Sequence, residues 1–474
     1  MPVIRSASQA SYLFKHVDWE RKMLTLEELK KHVSEGSIDT VVVSIPDMQG
    51  RLMGKRFHAK HFIDSACNET HCCNYLLATD LDMTPVEGFH SASWSAGYGD
   101  YSMIPDLTTL RLVPWFEKTA SVFCDLVDHE DHKSISVSPR SILKRQLERL
   151  RHSGFSANFA TELEFFIFKE SYEQARAMRY EAVTPNSEYN QDYNIFQTSK
   201  EESFLRTIRN GLFDAGIKVE STKGEADAGQ VEINILYDDA LKTADNHVFI
   251  KNAIKEMAFI NGKSVTFLAK WNRAAAGSSC HIHQSLLSGD KTASFFDASA
   301  GHGMSPIMEH YLAGLIECSS DLMFFMAPYI NSYKRFVRNT FAPITSHWSI
   351  DNRTAGFRLV DPNRTSIRIE NRIGGADLNP YLAMAAQIAA GLHGIDKQIE
   401  LPEACEGNAY EGSDSKKLPK TLRQAIISLE NSEMLRHAMG DEVVDHYVRV
   451  AEWEQESYDN VVTGYEVSRG FEMS

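Results

Sequence analysis

At 474 residues, 43% of them apolar, the chain can bury a sizeable core and has room for two or three domains. Its net charge of −15 argues against a nucleic-acid partner, which calls for a basic surface. No run is apolar for long enough to cross a bilayer, residues 1–22 lack the apolar core of a signal peptide, and the seven cysteines show no paired zinc spacing, so a cytoplasmic protein with reduced thiols is expected.

In chain order, Thr25 to Gly36 predicts a short helix with Thr25 as N-cap and Gly36 as its stop. Thr40 to Ile45, the turn Asp47-Met48-Gln49-Gly50 and Arg51 to Phe57 predict a β-hairpin. Cys72-Cys73 beside His71 have no second ligand pair, which favours partly buried thiols over a zinc site. Short strands follow at Leu110 to Val113 and Ala120 to Leu126, then a loop over Asp128 to Lys133. Ser138-Pro139 predicts an N-cap and a first-turn proline for a helix over Ser141 to Gly154, with a domain boundary near residue 130. Beyond it, helices alternate with strands that are polar on one face. That pattern predicts an α+β domain on a curved, largely antiparallel sheet whose polar face is the active site. Ala385 to Leu392 reads as a buried helix and Glu403 to Lys416 as an exposed loop.

Three of those strands place charged or ligating groups two residues apart: Glu162 and Glu164, His281 and His283, and Arg368, Glu370 and Arg372. A strand repeats every second residue, so each set shares one face. The segment GEADAGQVEINI (224–235) adds Glu225 and Glu232. An acidic pair on a strand is usually a solvated face, but Glu162 and Glu164 adjoin the apolar run Phe165 to Phe168. Five carboxylates and a histidine converging on one cavity would repel one another unless divalent cations, Mg²⁺ or Mn²⁺, neutralised them. Arg335, Arg353, Arg358, Arg368 and Arg372 can be surface ion pairs; with metals they are also the equipment of phosphoryl transfer. No P-loop or dinucleotide glycine motif is present.

The segments ELEFFIF (162–168), EADAGQVE (225–232), GSSCHIHQS (277–285), NSYKR (331–335), DNRTAGFR (351–358), RIENR (368–372) and NPYLAMAA (379–386) resemble the glutamine synthetase family in order and spacing. The resemblance implies a small β-grasp-like domain over 1–130 and a catalytic domain over 131–474. It also implies a homo-oligomer, a dodecamer of two stacked hexameric rings with active sites between subunits. By the same resemblance, Glu164, Glu225 and Glu232 hold the metal nearer glutamate, and Glu162, His281 and Glu370 the metal on the ATP phosphates. Tyr237, His283, Ser285, Arg353, Arg358 and Arg368 face the nucleotide. Gly277, Arg335 and Arg372 hold glutamate, and Asp80, with Asp82 as the alternative, helps to deprotonate the amine from a neighbouring subunit.

Three departures stand out. Ammonia-using members carry a glutamate six residues after the arginine of SYKR; here that residue is Phe341. Ala276 stands where they often have asparagine, and Ile399 replaces the tyrosine that bacterial enzymes adenylylate. An apolar ring in place of a carboxylate removes the partner of an ammonium ion and offers packing to a larger amine. The expectation is therefore ATP-dependent ligation of L-glutamate to an organic amine, an aryl or short alkyl amine rather than a polyamine, with Phe336 and Trp348 adding apolar surface. The competing readings are an ammonia-dependent glutamine synthetase and a catalytically silent structural relative.

Overall fold

A computed structural model describes residues 23–89, 92–95, 97–411 and 417–474. The signal-peptide reading of residues 1–22 and the end of the expected loop, 412–416, lie outside the described residues. Thr25 caps the helix Leu26–Ser34 in a reciprocal box with Glu28, and Gly36 leaves it at φ +72°. Strands β1 (Thr40–Pro46) and β2 (Leu52–His58) form the expected hairpin. The Asp47 side chain accepts from the backbone N–H of Gln49 and Arg51 and pairs with the Arg51 guanidinium at 2.7 Å, which closes the turn.

β3 (Thr70–Cys73), β4 (Asp100–Pro105), β5 (Arg111–Leu112) and β6 (Thr119–Asp128) complete a first sheet. Its order is β2-β1-β6-β4-β3, with β5 beside β6; β1 and β6 run parallel and the other pairs antiparallel. The following helix, Pro139–His152, has proline at its first turn as expected, but Ser138 makes no side-chain capping bond. Arg140, 1% exposed, joins this helix to its surroundings through Asp125 and Asp106, both at 2.6 Å, and Asp245 at 3.0 Å.

The second sheet comprises β7 (Phe155–Phe168), β8 (Val219–Gly224), β9 (Gln230–Ile235), β10 (Asp238–Asp239), β11 (Ser264–Thr266), β12 (Cys280–Ser288), β13 (Trp348–Ile350), β14 (Phe357–Val360) and β15 (Arg368–Asn371). Its order is β13-β14-β15-β12-β7-β9-β8, with β10 and β11 also on β7; only β13 and β14 are parallel. The fold is thus the expected α+β arrangement on a mainly antiparallel sheet. Leu163, Phe165 and Ile167 of β7 join Ile233, Phe249 and Ile254 in one buried cluster. Alternation along the strand therefore sends Glu162 and Glu164 to the opposite face. The helix Pro380–Lys397 is buried almost throughout. Its one awkward residue, Gln387, accepts from Gln284 at 2.8 Å and from Asn371 at 2.9 Å, which ties the helix to β12 and β15.

Candidate active site

β7 is the spine of the site. Its register sets Glu162 against His281 of β12 and Glu164 against Glu232 of β9. Glu370 of β15 faces His283 of β12. Two triads result, Glu162–His281–Glu370 and Glu164–Glu225–Glu232, and in each the ligand atoms lie within 4.8 Å of one another. Because Glu162 and Glu164 share a face, the triads lie side by side along the strand.

The first triad is internally compensated. The Glu162 carboxylate takes His281 at 2.9 Å and His283 at 2.8 Å. Burial opposes its charge, but these bonds hold Glu162 far below the usual carboxylate range. Glu370, fully buried, is gripped by Arg358 at 2.8 Å and Arg372 at 2.5 Å. Against the cost of burial, Arg372 and the two histidines hold it down at about 2. Burial, with Arg372 nearby, lowers His281 and favours its neutral, ligating form.

The second triad is only partly compensated, by Lys223 at Glu225. Glu164 accepts from the Ser279 hydroxyl at 2.5 Å and the Ser279 N–H at 2.7 Å. Burial and then the charge of Glu225 still push it up to about 7. Burial, Glu162, Glu164 and Glu225 push Glu232 up to about 9. Carboxylates that resist ionisation in the bare protein are the donor set a hard divalent cation relieves. Both triads therefore fit Mg²⁺ or Mn²⁺, the first with one nitrogen donor. Lys223 pairs with Glu225 and reaches Asp192 at 3.2 Å, a contact the sequence reading missed although its parity with Glu225 offered a signal.

Beside the triads, Gly277 is required sterically: a Cβ there would lie 2.3 Å from Arg335 Cγ. Arg335, 3% exposed, donates to the carbonyls of Ile373 and Gly374. The Nε atoms of both Arg335 and Arg372 are buried without a hydrogen-bond partner, an arrangement that suits an anionic ligand. A cleft of about 480 Å³ on the other side of Glu162 gathers Tyr237, His283, Ser285 and Arg368. Arg368 bonds Asp361 at 2.8 Å and His283 at 3.3 Å. The two cations flanking Glu370 are thus Arg358 and Arg372, not the expected Arg368 and Arg372, because Arg358 lies opposite Glu370 in the β14–β15 register.

Three expected residues stand apart from this cluster. Arg353 is exposed. Phe341 is 59% exposed at φ +59°, in a loop held by Tyr410 through its hydroxyl to Ala342 O at 3.0 Å. The segment expected as an exposed loop thus buries Ala409 and Tyr410 against this flap. Asp80 accepts from Trp453 at 3.0 Å and lines a separate pocket with Gln49, Phe324 and Glu454, while Asp82 is exposed. Trp348 is a core residue bonded to Pro402 O at 2.7 Å, so it does not extend an apolar surface around Phe341.

Residues 136–470 match the family model of the glutamine synthetase catalytic domain. The chain is 48% identical over 450 residues to gamma-glutamylethanolamide synthetase GlnA4 of Streptomyces coelicolor, covering 95% of this chain and 96% of that one. It is 35% identical over 445 residues to glutamate–isopropylamine ligase of a Pseudomonas species, covering 93% and 97%. The solved structure of apo GmaS without ligand superposes with a TM-score of 0.81 at 27% identity, covering 93% of this chain and 98% of that one. These likenesses make the chain a carbon–nitrogen ligase, with which the carboxylate triads on a shared sheet, the cleft beside them and the arginine pair agree. The chain belongs to the glutamine synthetase family, in its glutamate–amine ligase branch.

Proposed function

We propose that the protein joins the γ-carboxylate of L-glutamate to a short organic monoamine at the expense of ATP. The Glu164–Glu225–Glu232 triad, in which Glu164 and Glu232 resist ionisation, beside the partnerless Nε atoms of Arg335 and Arg372 carries this reading. The arginines take the carboxylates of glutamate, with Gly277 leaving room for Arg335. Tyr237, His283 and Ser285 line the cleft for ATP; Arg358 and Arg368 border it, and Arg353 reaches the phosphates when the site closes. Glu162, His281 and Glu370 hold one cation, and Glu164, Glu225 and Glu232 the other. Bound there, Mg²⁺ or Mn²⁺ supplies countercharge to the phosphoryl group.

The γ-carboxylate oxygen attacks the terminal phosphorus of ATP, which gives γ-glutamyl phosphate and ADP. The amine nitrogen then attacks the γ-carbon, phosphate leaves with the bonding pair, and the surplus amine proton passes to a base, Asp80 of a neighbouring subunit. Asp80 lines a pocket that holds none of its own chain's triad residues and accepts from Trp453, so on this reading the site is completed between copies of a cytoplasmic dodecamer. The division into 1–130 and 131–474 then separates the part that donates Asp80 from the part that holds the metals.

The apolar Phe341 and relatives acting on ethanolamine- and isopropylamine-sized groups favour a short monoamine over ammonium, aryl amines or polyamines. The test is phosphate release from ATP, glutamate and Mg²⁺ with ammonium, ethanolamine, isopropylamine, aniline, putrescine and spermidine, with product masses confirmed. A short monoamine should give the highest kcat/KM. Ammonium as best substrate would make the protein a glutamine synthetase and overturn the role of Phe341.

A further inference from the structure

Histidines gather a second time, on the first sheet and among none of the residues used above. His71 of β3 lies opposite Ser102 of β4. His129 follows β6, the strand on the other side of β4. The buried Ser102 hydroxyl sits between the two rings, 3.4 Å from His71 Nδ1 and 3.2 Å from His129 Nδ1. The rings meet edge to face with centroids 4.9 Å apart. Glu69, just before β3, brings its carboxylate to 3.9 Å from His71 Nδ1 and 3.5 Å from His132 Nε2.

The backbone is arranged to make this meeting. Asp128 accepts from the N–H groups of Glu130 at 2.8 Å and Asp131 at 3.2 Å. Its own N–H bonds Lys133 O at 2.8 Å, so the chain reverses at once after β6. His132 takes a left-handed φ of +56°, unusual for a non-glycine residue, within that reversal. The pattern is Glu-x-His on an edge strand and His-x-x-His on a turn, with ligand atoms of Glu69, His71 and His129 within 4.8 Å of one another.

We propose that Glu69, His71 and His129, with His132 beside them, form a third metal site, selective for a borderline transition ion such as Zn²⁺. The donors decide the class: two imidazoles and one carboxylate suit Zn²⁺, with a fourth position for His132 or water, whereas Mg²⁺ prefers oxygen. The Ser102 hydroxyl, within reach of Nδ1 on both rings, brings the two histidines together. The ion staples edge strand β3 to the exit of β6. It thereby fixes the root of the segment 74–99 that carries Asp80.

The experiment uses the full-length protein in excess Mg²⁺, to occupy the carboxylate sites, and titrates Zn²⁺ by calorimetry with metal analysis after desalting. One Zn²⁺ per chain that Mg²⁺ does not displace is expected. His71→Ala and His129→Ala should each weaken it by about tenfold or more. The double variant should lose it, and Glu162→Gln should keep it. His71 and His129 are both exposed, so these changes leave the core intact; circular dichroism and Mg²⁺-dependent turnover serve as controls. Failure of the wild-type protein to take up Zn²⁺ in excess Mg²⁺, or unchanged uptake by the double variant, would overturn the proposal.

Discussion

Glu232→Gln in the metal-free protein tests the electrostatics of the second triad. Burial and three neighbouring carboxylates raise Glu232 from 4.5 to about 9. A raised carboxyl keeps its proton in the folded state while the unfolded chain ionises, so stability falls as pH rises through this window. At pH 8, below the folded value, the cost is set by the roughly 3.5 units between the pH and the unfolded value of 4.5; at ~1.36 kcal/mol per unit that is on the order of 4–5 kcal/mol. Glutamine removes this term at nearly constant volume. With an unfolding entropy of ~2.1 cal/mol/K per residue, a chain this long changes Tm by about 1 °C per kcal/mol. In EDTA at pH 8 the variant should therefore melt about 4 °C above the wild-type protein, and the gap should shrink towards pH 6. Glu162 and Glu370 do not mask the effect: both are held low, so their contributions are present above the unfolded value near 4.5 and vanish only on acidification. In saturating Mg²⁺ the order should invert, because only the wild-type site gains from the cation. The assay is thermal unfolding at pH 6 to 9 in EDTA and in Mg²⁺. A variant no more stable than wild type in EDTA at pH 8 would refute the reasoning.

Phe341→Glu should lower kcat/KM for a short organic amine by about tenfold or more, through lost ring contact and an added carboxylate; unchanged turnover would remove Phe341 from the amine site. Asp80→Asn and Glu162→Gln should each be inactive alone. Dissociated, mixed equally and reassembled, they should regain about a quarter of wild-type activity if each site draws on two subunits, and none if it does not. Arg140→Met takes the cation from Asp106 and Asp245, leaving only Asp125 with Lys144, and should cost about 3–5 kcal/mol, read as a fall in Tm with Mg²⁺ present.

The convergence of the two triads was legible in the sequence because it obeys a strand's period of two: Glu162 with Glu164 and His281 with His283 follow from spacing alone. The hairpin, the capped first helix and the buried helix around Gln387 were legible for similar local reasons. Cross-strand partners were not. That Arg358 rather than Arg368 meets Glu370 depends on the β14–β15 register, which no single segment encodes. Ser279 escapes for the same reason, since it serves Glu164 from the residue just before β12. Trp348 misleads in the other direction: nearness to Phe341 in sequence suggested a shared pocket, yet β13 turns it into the core. The Glu69–His71–His129 group needs two segments far apart in the chain, so Cys72 and Cys73 drew attention that belonged to their neighbours.

On the proposed reading the amine end differs physically from the metal end, and the difference bears on substrate choice. Glu164, Glu232, His281 and Glu370 are all less than 9% exposed and fixed on strands, whereas Phe341 is 59% exposed on a loop. An acyl phosphate survives only where water is excluded, so on the proposed reading something must cover that ring before the amine attacks. Burying a phenylalanine side chain is worth about 1.5–3 kcal/mol. An incoming amine with an alkyl group shares that burial and so favours closure with itself inside. Ammonium has no apolar surface to share, and the carboxylate that would hold its charge is absent from position 341. The same substitution thus weakens ammonium binding and couples closure to an organic substituent, which makes discrimination a property of the closed state. It should therefore appear in kcat as well as KM; a preference confined to KM would place the selection before closure.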